Sequence, residues 1–133
     1  SKNSKYWIIR KENQSRRIRN KKDFLKILDK YEIKAIDSEN LNFEEEVDLF
    51  SKASFIGGLH GAGLANMIFM DQGSKVLEIK TKLTEKSNAF FAMSNALKHD
   101  YYYLRSDANE DDGIEINIEE IDSLLAEMFS DKA

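Results

Sequence analysis

The chain alternates between short apolar runs and longer segments in which apolar residues recur every three or four positions. Runs rich in β-forming residues predict five strands, at Tyr6–Ile9, Ile33–Ile36, Ser54–Gly57, Lys75–Ile79 and Asp100–Leu104. Helical spacing predicts three inward-facing sets, Phe24, Ile27, Leu28, Tyr31; Phe43, Val47, Phe50; and Ile121, Leu124, Leu125, Met128. A further helix is predicted to carry Phe90, Phe91, Met93, Ala96 and Leu97.

Strands that alternate with helices of about ten residues are typical of parallel sheets joined by right-handed crossovers. We therefore predict one α/β domain over residues 1–133, a three-layer Rossmann-like fold with a mainly parallel five-stranded sheet. The strand order 2-1-3-4-5 is favoured, because it makes strands one and three neighbours and brings the two most unusual loops to one edge.

Polar residues at the helix starts predict caps. Asn20 is placed to cap the first helix, and either Ser87 or Asn88 the helix that follows the fourth strand. Asn42 and Glu45 have the spacing of a capping box at the second.

Composition restricts the chemistry. The chain has no cysteine and two histidines, which excludes disulfides and thiolate metal sites and makes a zinc site improbable. No apolar run approaches the roughly 18 residues of a membrane-spanning helix. The net charge of −4 is unevenly distributed, with basic residues concentrated between Arg10 and Lys22 and only acidic charges between Asp107 and Glu120. We expect no nucleic-acid partner and no metal.

The most distinctive stretch is residues 53–79, where four of the six glycines fall between Gly57 and Gly63, around His60. An apolar run enters this loop, and the spacing after it predicts a short helix from about Ala62. A strand that turns through glycine into a helix N-terminus can bind an anion with the unpaired amides of the first turn. The stretch therefore predicts a phosphate-binding loop.

A second loop, Arg10 to Arg19, follows the first strand and borders the same crevice in the favoured order. Arg10 and Arg17 are candidates for bidentate contacts to phosphate oxygens. Gly61, Ala62 and Gly63 are small enough to let a diphosphate approach the backbone.

Three polar side chains complete the candidate site. His60 is the candidate catalytic residue and also a candidate hydrogen-bond donor to a phosphate or leaving-group oxygen. Asn66 is placed to fix the loop or to touch the ligand, and Glu78, at the end of the fourth strand, to accept hydrogen bonds from ribose hydroxyls.

Structural alternatives remain open for each of these residues. His60 is compatible with a buried, hydrogen-bonded histidine, and Glu78 with an ordinary surface carboxylate. The stretch Met67–Met70 is predicted to be core, and Tyr101–Tyr103 a strand with alternating burial.

Two motifs come close to known patterns. Residues 61–66 resemble a dinucleotide fingerprint but have asparagine in place of the third glycine, which disfavours an NAD-dependent oxidoreductase. Residues 107–113 resemble a calcium loop whose glycine is one place late.

The chain resembles glycosyltransferase family 61 from about Tyr6 to Tyr103. The resemblance rests on Arg10…Arg17-x-x-Asn20, Phe43-x-x-x-Val47-x-Leu49-Phe50, Gly58-Leu59-His60-Gly61-Ala62-Gly63-Leu64-x-Asn66-Met67-x-Phe69-Met70 and Gly73-x-x-Val76-x-Glu78-Ile79. One departure is Lys80-Thr81-Lys82, where the family commonly has proline.

This resemblance implies a GT-B enzyme with a nucleotide-sugar donor substrate, inversion at the anomeric carbon and no metal or other cofactor. The family includes bacterial capsular-polysaccharide biosynthesis proteins, so we expect a bacterial, cytoplasmic enzyme. A membrane-peripheral full-length protein is compatible with this expectation. The chain looks like the C-terminal, donor-binding half of a longer two-domain enzyme, in which a missing N-terminal domain would bind a glycan or lipid-linked acceptor. We expect this half to be inactive alone. The alternative is a non-catalytic nucleotide-binding or interaction module on the same fold.

Overall fold

Residues 3–9, 18–82, 84–106, 108–109 and 113–130 are described by the structure, a computed structural model. They form a five-stranded sheet of β1 (Ser4–Ile9), β2 (Lys34–Asp37), β3 (Ala53–Leu59), β4 (Lys75–Lys80) and β5 (Asp100–Arg105). Every neighbouring pair is parallel, and the order is β2-β1-β3-β4-β5. The predicted α/β Rossmann-like fold and strand order are confirmed, and the predicted strand ends differ from the observed ones by at most two residues.

Helices cover both faces of the sheet, which gives three layers. On one face α1 (Lys21–Lys30) and α4 (Ile118–Met128) pack against a core that includes Trp7, Phe55 and Leu77. On the other, α2 (Phe43–Ser51) and α3 (Ala89–Ala96) flank a core that includes Ile8, Ile56 and Val76. Because successive strand residues point to opposite faces, Glu78 lies on the same face as Val76, toward α3.

The short helix predicted from about Ala62 is a 3₁₀ helix, Leu64–Phe69, which begins two residues later. Side chains three apart eclipse each other in a 3₁₀ helix, so Leu64, Met67 and Met70 are buried together. Ile68, which the spacing predicted as core, is 59% exposed.

Two further sequence expectations fail locally. Phe43 is 70% exposed at the start of α2 and meets only the edge of Phe69, with ring centroids 5.8 Å apart, although Phe50 from the same predicted stripe is fully buried. Asn20 makes no side-chain cap hydrogen bond. Instead its amide pairs with the backbone of Ile116, donating to the carbonyl at 2.7 Å and accepting from the N–H at 3.0 Å.

The segment after β5 contains a short antiparallel pair, β6 (Ala108–Asn109) and β7 (Gly113–Ile114). Ile18 forms a parallel bridge to Ile114, and both side chains are buried. Residues 10–17 of the predicted basic loop Arg10 to Arg19 lie outside the described residues, as do residues 107 and 110–112 of the acidic loop.

Candidate functional site

The loop that carries His60 begins at the carboxyl end of β3, a central strand. The His60 amide donates to the Ile79 carbonyl at 3.0 Å, which extends the pairing with β4 by one residue. The chain then reverses, with the Ala62 amide donating to the Leu59 carbonyl at 2.9 Å. Gly61 and Gly63 have φ angles of 86° and 82°, a left-handed conformation that favours glycine. The reversal leaves the His60 side chain at the edge where ligands bind in open α/β sheets.

Close packing explains why the residues of this loop are small. A Cβ on Gly63 would lie 3.1 Å from Ser38 Oγ and 3.2 Å from Ile8 Cγ2, so the loop rests directly on β1 and the segment after β2. Ala62 is buried, and its methyl group would lie 3.4 Å from a Cβ on Gly58. The predicted diphosphate contacts of Gly61, Ala62 and Gly63 remain predictions. The 3₁₀ helix that follows has only six residues, so it supplies little of the dipole on which that prediction drew.

His60 and Glu78 are joined by a short contact between the imidazole Nδ1 and the carboxylate Oε2. Glu78 is 1% exposed, whereas the His60 side chain retains 24% of its exposure. The ring is steadied by an edge-on contact with Phe90 in α3, with centroids 5.2 Å apart. Glu78 is therefore not the surface carboxylate of the alternative reading, and His60 is a hydrogen-bonded histidine that still reaches the surface.

Tyr101 supplies the second partner of Glu78 and was not predicted as a site residue. Its hydroxyl donates to Glu78 Oε1 at 2.5 Å. Burial first, and then this hydrogen bond, raise the pKa of Tyr101 well above its ordinary value, so the hydroxyl stays protonated as a donor. With both oxygens of Glu78 engaged inside the protein, the geometry favours an internal role over the predicted ribose contact.

The second ring nitrogen of His60, Nε2, makes no hydrogen bond within the described residues, and the side chain keeps 24% of its exposure. Among the same residues, the only buried side-chain polar atom without a hydrogen-bond partner is Nδ1 of His99. The Nδ1 contact of His60 thus leaves Nε2 as the atom presented to a ligand.

Asn66 and the two arginines complete the predicted set. Asn66 is buried beside the loop, and its Nδ2 would lie 3.5 Å from a Cβ on Gly63. Arg10 and Arg17 lie outside the described residues, so their predicted phosphate contacts remain predictions. The structure thus brings His60, Glu78 and the loop 61–63 together.

Lys80 is a second feature that the sequence reading missed. It is buried at the carboxyl end of β4, where its ammonium group donates to the Ser87 carbonyl at 2.8 Å. The same group lies 5.4 Å from the ring centroid of Tyr103. Lys80 therefore ties the loop after β4 to the sheet.

The described residues bring together no group of three or more His, Cys, Asp or Glu side chains able to hold a metal ion. Nor do they include a helix long and apolar enough to cross a membrane.

Comparison with known proteins identifies the family. The family model for glycosyltransferase 61 matches residues 1–77, more than half of the 133-residue chain. The match includes β1 to β3 and the His60 loop, and it ends one residue before Glu78. A search of curated protein sequences gave no match. On the family match, the chain belongs to glycosyltransferase family 61.

Proposed function

We propose that the chain is the nucleotide-sugar binding domain of an inverting, metal-independent glycosyltransferase. The observation that carries this proposal is the placement of His60. It lies in the family-matched loop at the carboxyl edge of the sheet, is held through Nδ1 by a buried carboxylate, and keeps 24% of its side chain exposed.

In an inverting transfer, the nucleophile attacks one face of the sugar and the leaving group departs from the other. An acceptor hydroxyl attacks the anomeric carbon from one face, and its proton passes to a general base on that side. The bond from the anomeric carbon to the phosphate oxygen breaks on the opposite face, and the nucleoside diphosphate leaves with the electron pair. A loop that binds the diphosphate therefore lies on the leaving-group side. We assign His60 to that side, with Gly61, Ala62, Gly63, Asn66, Arg10 and Arg17 as the other groups near the phosphates.

The finer assignments follow the same reasoning. The acceptor, a glycan or lipid-linked sugar, and the general base would belong to another domain of a longer GT-B enzyme. Bacterial surface polysaccharide synthesis at the cytoplasmic side of a membrane fits the capsular members of the family. The domain alone would then bind nucleotides without transferring sugar.

Calorimetric titration of the chain with UDP, GDP and CMP tests the proposal. We expect measurable binding of at least one of the three. Absence of binding by all of them would contradict it.

A matched pair of histidine variants tests the site. His60→Gln keeps an amide that can donate to Glu78 but removes the imidazole, and we expect nucleotide affinity to fall by about 10- to 100-fold, the equivalent of one charge-assisted hydrogen bond. The control is His99→Gln, which alters the other histidine, buried beneath the 3₁₀ helix with Nε2 donating to the Met67 carbonyl at 2.8 Å. We expect His99→Gln to lower the unfolding temperature and leave affinity unchanged. Equal affinity losses in both variants would argue against a direct role for His60.

A further inference from the structure

Glu78 lies at the centre of a chain of contacts, from His60 through Glu78 to Tyr101, that the sequence did not predict. One carboxylate oxygen contacts Nδ1 of His60, and the other accepts from the hydroxyl of Tyr101. The residue is 1% exposed, and His60 is the only basic side chain in ion-pair contact with it among the described residues. A buried carboxylate is stable only when paired and hydrogen-bonded. The pairing therefore fixes the carboxylate as well as the imidazole.

We propose that His60 binds the diphosphate of the nucleotide as an imidazolium, and that Glu78 and Tyr101 are the positioning residues that hold it in that form. This rests on the proposed function, because it assumes that the loop binds a nucleoside diphosphate. It assigns Tyr101, which lies outside the family-matched residues, to the working site.

The geometry dictates which ring atoms carry protons. A carboxylate only accepts hydrogen bonds, so the His60 nitrogen that faces Glu78 carries a proton. A phosphate oxygen is also an acceptor, so a phosphate bound at Nε2 requires a proton there too. A ring between two anions is therefore doubly protonated, and diphosphate binding takes up a proton from solvent wherever the free ring is neutral.

The groups around the ring support this assignment. Tyr101 donates to Glu78 and leaves its charge in place, and Phe90 is apolar. Lys80 lies on the same face of β4 as Glu78 but is engaged with the Ser87 carbonyl. A proton on Nε2 of His60 would therefore place a positive charge where a phosphate bound at this loop can reach it.

Calorimetry with UDP or GDP, whichever binds, in buffers of different ionisation enthalpy measures this proton directly. We expect proton uptake in the unmodified chain. Nitrogen NMR should show both ring nitrogens of His60 protonated in the complex. In Glu78→Gln the amide can face His60 with either its oxygen or its NH₂ group, so we expect the uptake to disappear and affinity to fall by about tenfold or more.

Tyr101→Phe provides a second test in case Glu78→Gln fails to fold. We expect it to reduce both the affinity and the proton uptake, because Glu78 loses the bond that orients it. The matched control is Tyr103→Phe, which removes a hydroxyl from the exposed ring two residues along the same strand. We expect Tyr103→Phe to bind with unchanged affinity and uptake.

The outcomes separate this inference from the proposed function. Binding without proton uptake, with unchanged affinity in both Glu78→Gln and Tyr101→Phe, would overturn the inference and leave the nucleotide site standing. If none of UDP, GDP and CMP binds, the proposed function is contradicted and the inference falls with it. If CMP, a monophosphate, is the only one that binds, the proposed function stands and the inference about the diphosphate is overturned. Whether Glu78 positions His60 can still be tested in the ligand-free chain. A downfield Nδ1 proton of His60 that is lost in Glu78→Gln supports the positioning role, and its absence from the unmodified chain contradicts it.

Discussion

We expect the hydrogen bond from Tyr101 to Glu78 to stabilise the folded protein as well as to position the candidate site. Tyr101→Phe removes the donor to Oε1 and leaves that oxygen at a position with almost no access to water. An unsatisfied buried acceptor costs about 1–3 kcal/mol, so we expect the free energy of unfolding to fall by that amount. Urea denaturation followed by circular dichroism measures it.

Tyr103→Phe again serves as the control, because its ring is 60% exposed. A surface change of this kind alters stability by no more than about 0.5 kcal/mol. Equal midpoints for the two variants would show that the Tyr101 hydroxyl contributes no more than an exposed one.

Tyr101 shows why part of the site was not predictable from sequence. Glu78 could be noticed, because it interrupts a run of buried residues, Val76, Leu77 and Ile79. Its partner is 23 residues further on, and the contact depends on the parallel register that sets Val76 beside Tyr101. Sequence spacing predicts that both strands exist but not how they align. His60 was predictable because its loop carries a local pattern of glycines.

At the scale of helices and strands, caps provide the clearest test of local sequence signals. Asn42 and Glu45 form the predicted capping box. The backbone N–H of Glu45 donates to Asn42 Oδ1 at 2.8 Å, and the backbone N–H of Asn42 donates to Glu45 Oε1 at 3.0 Å. We expect Asn42→Ala to lower the free energy of unfolding by about 1 kcal/mol.

The matched control is Asn88→Ala at the start of α3. Asn88 occupies the equivalent position but makes no side-chain cap hydrogen bond. We expect a change within about 0.5 kcal/mol, measured by the same urea titration. A loss as large as that of Asn42→Ala would mean that asparagine stabilises these helix starts without the capping contact.

The caps also show where local signals fail. Asn42 and Glu45 lie within one turn of each other, so sequence alone predicted their pairing. Asn20 has the same chemistry before α1, but its amide pairs with the Ile116 backbone, 96 residues away. At residues 64–69 the apolar spacing was compatible with an α-helix and with a 3₁₀ helix. The structure has the 3₁₀ helix, preceded by Gly63 in a left-handed conformation and in close contact with the residues beneath it. Local patterns are reliable where no tertiary partner competes for the same groups.

For the whole molecule, the alternation of strands and helices predicted a parallel sheet, and the positions of the two unusual loops favoured its strand order. Right-handed crossovers between parallel strands leave few arrangements in which helices cover both faces. The contacts between α1 and α4, which come from opposite ends of the described chain, were not predictable in this way. They depend on Tyr31 and Lys30 meeting Asp122, 91 and 92 residues later.

This α1–α4 contact makes stability depend on pH. The Tyr31 hydroxyl makes a short hydrogen bond to the Asp122 carboxylate, and Lys30 Nζ lies 3.0 Å from both of its oxygens. The bond from Tyr31 first, and then that from Lys30, lower the pKa of Asp122 below its ordinary value of about 3.8. Asp122 therefore contributes stability that is present above that value and is lost as pH falls through the lower folded pKa.

At high pH, the stability that Lys30 and Tyr31 contribute changes with pH in the opposite direction. Asp122 raises the pKa of Lys30, while burial first and then Asp122 raise the pKa of Tyr31. Their contributions are present below their unfolded pKa values, near 10, and are lost as pH rises through the folded ones. The contact is therefore strongest across the neutral range and weakens toward both extremes.

We expect Asp122→Asn to lower the urea midpoint at neutral pH and to lose less further stability than the unmodified chain on acidification below about pH 4. Asp48→Asn is the charge-matched control, because Asp48 bridges Lys52 at 3.3 Å within one exposed turn. Exposed pairs of this kind contribute little. Asp48→Asn should therefore follow the pH dependence of the unmodified chain. If Asp122→Asn also follows it, the α1–α4 contact is not a source of the acid sensitivity, and other carboxylates must account for it.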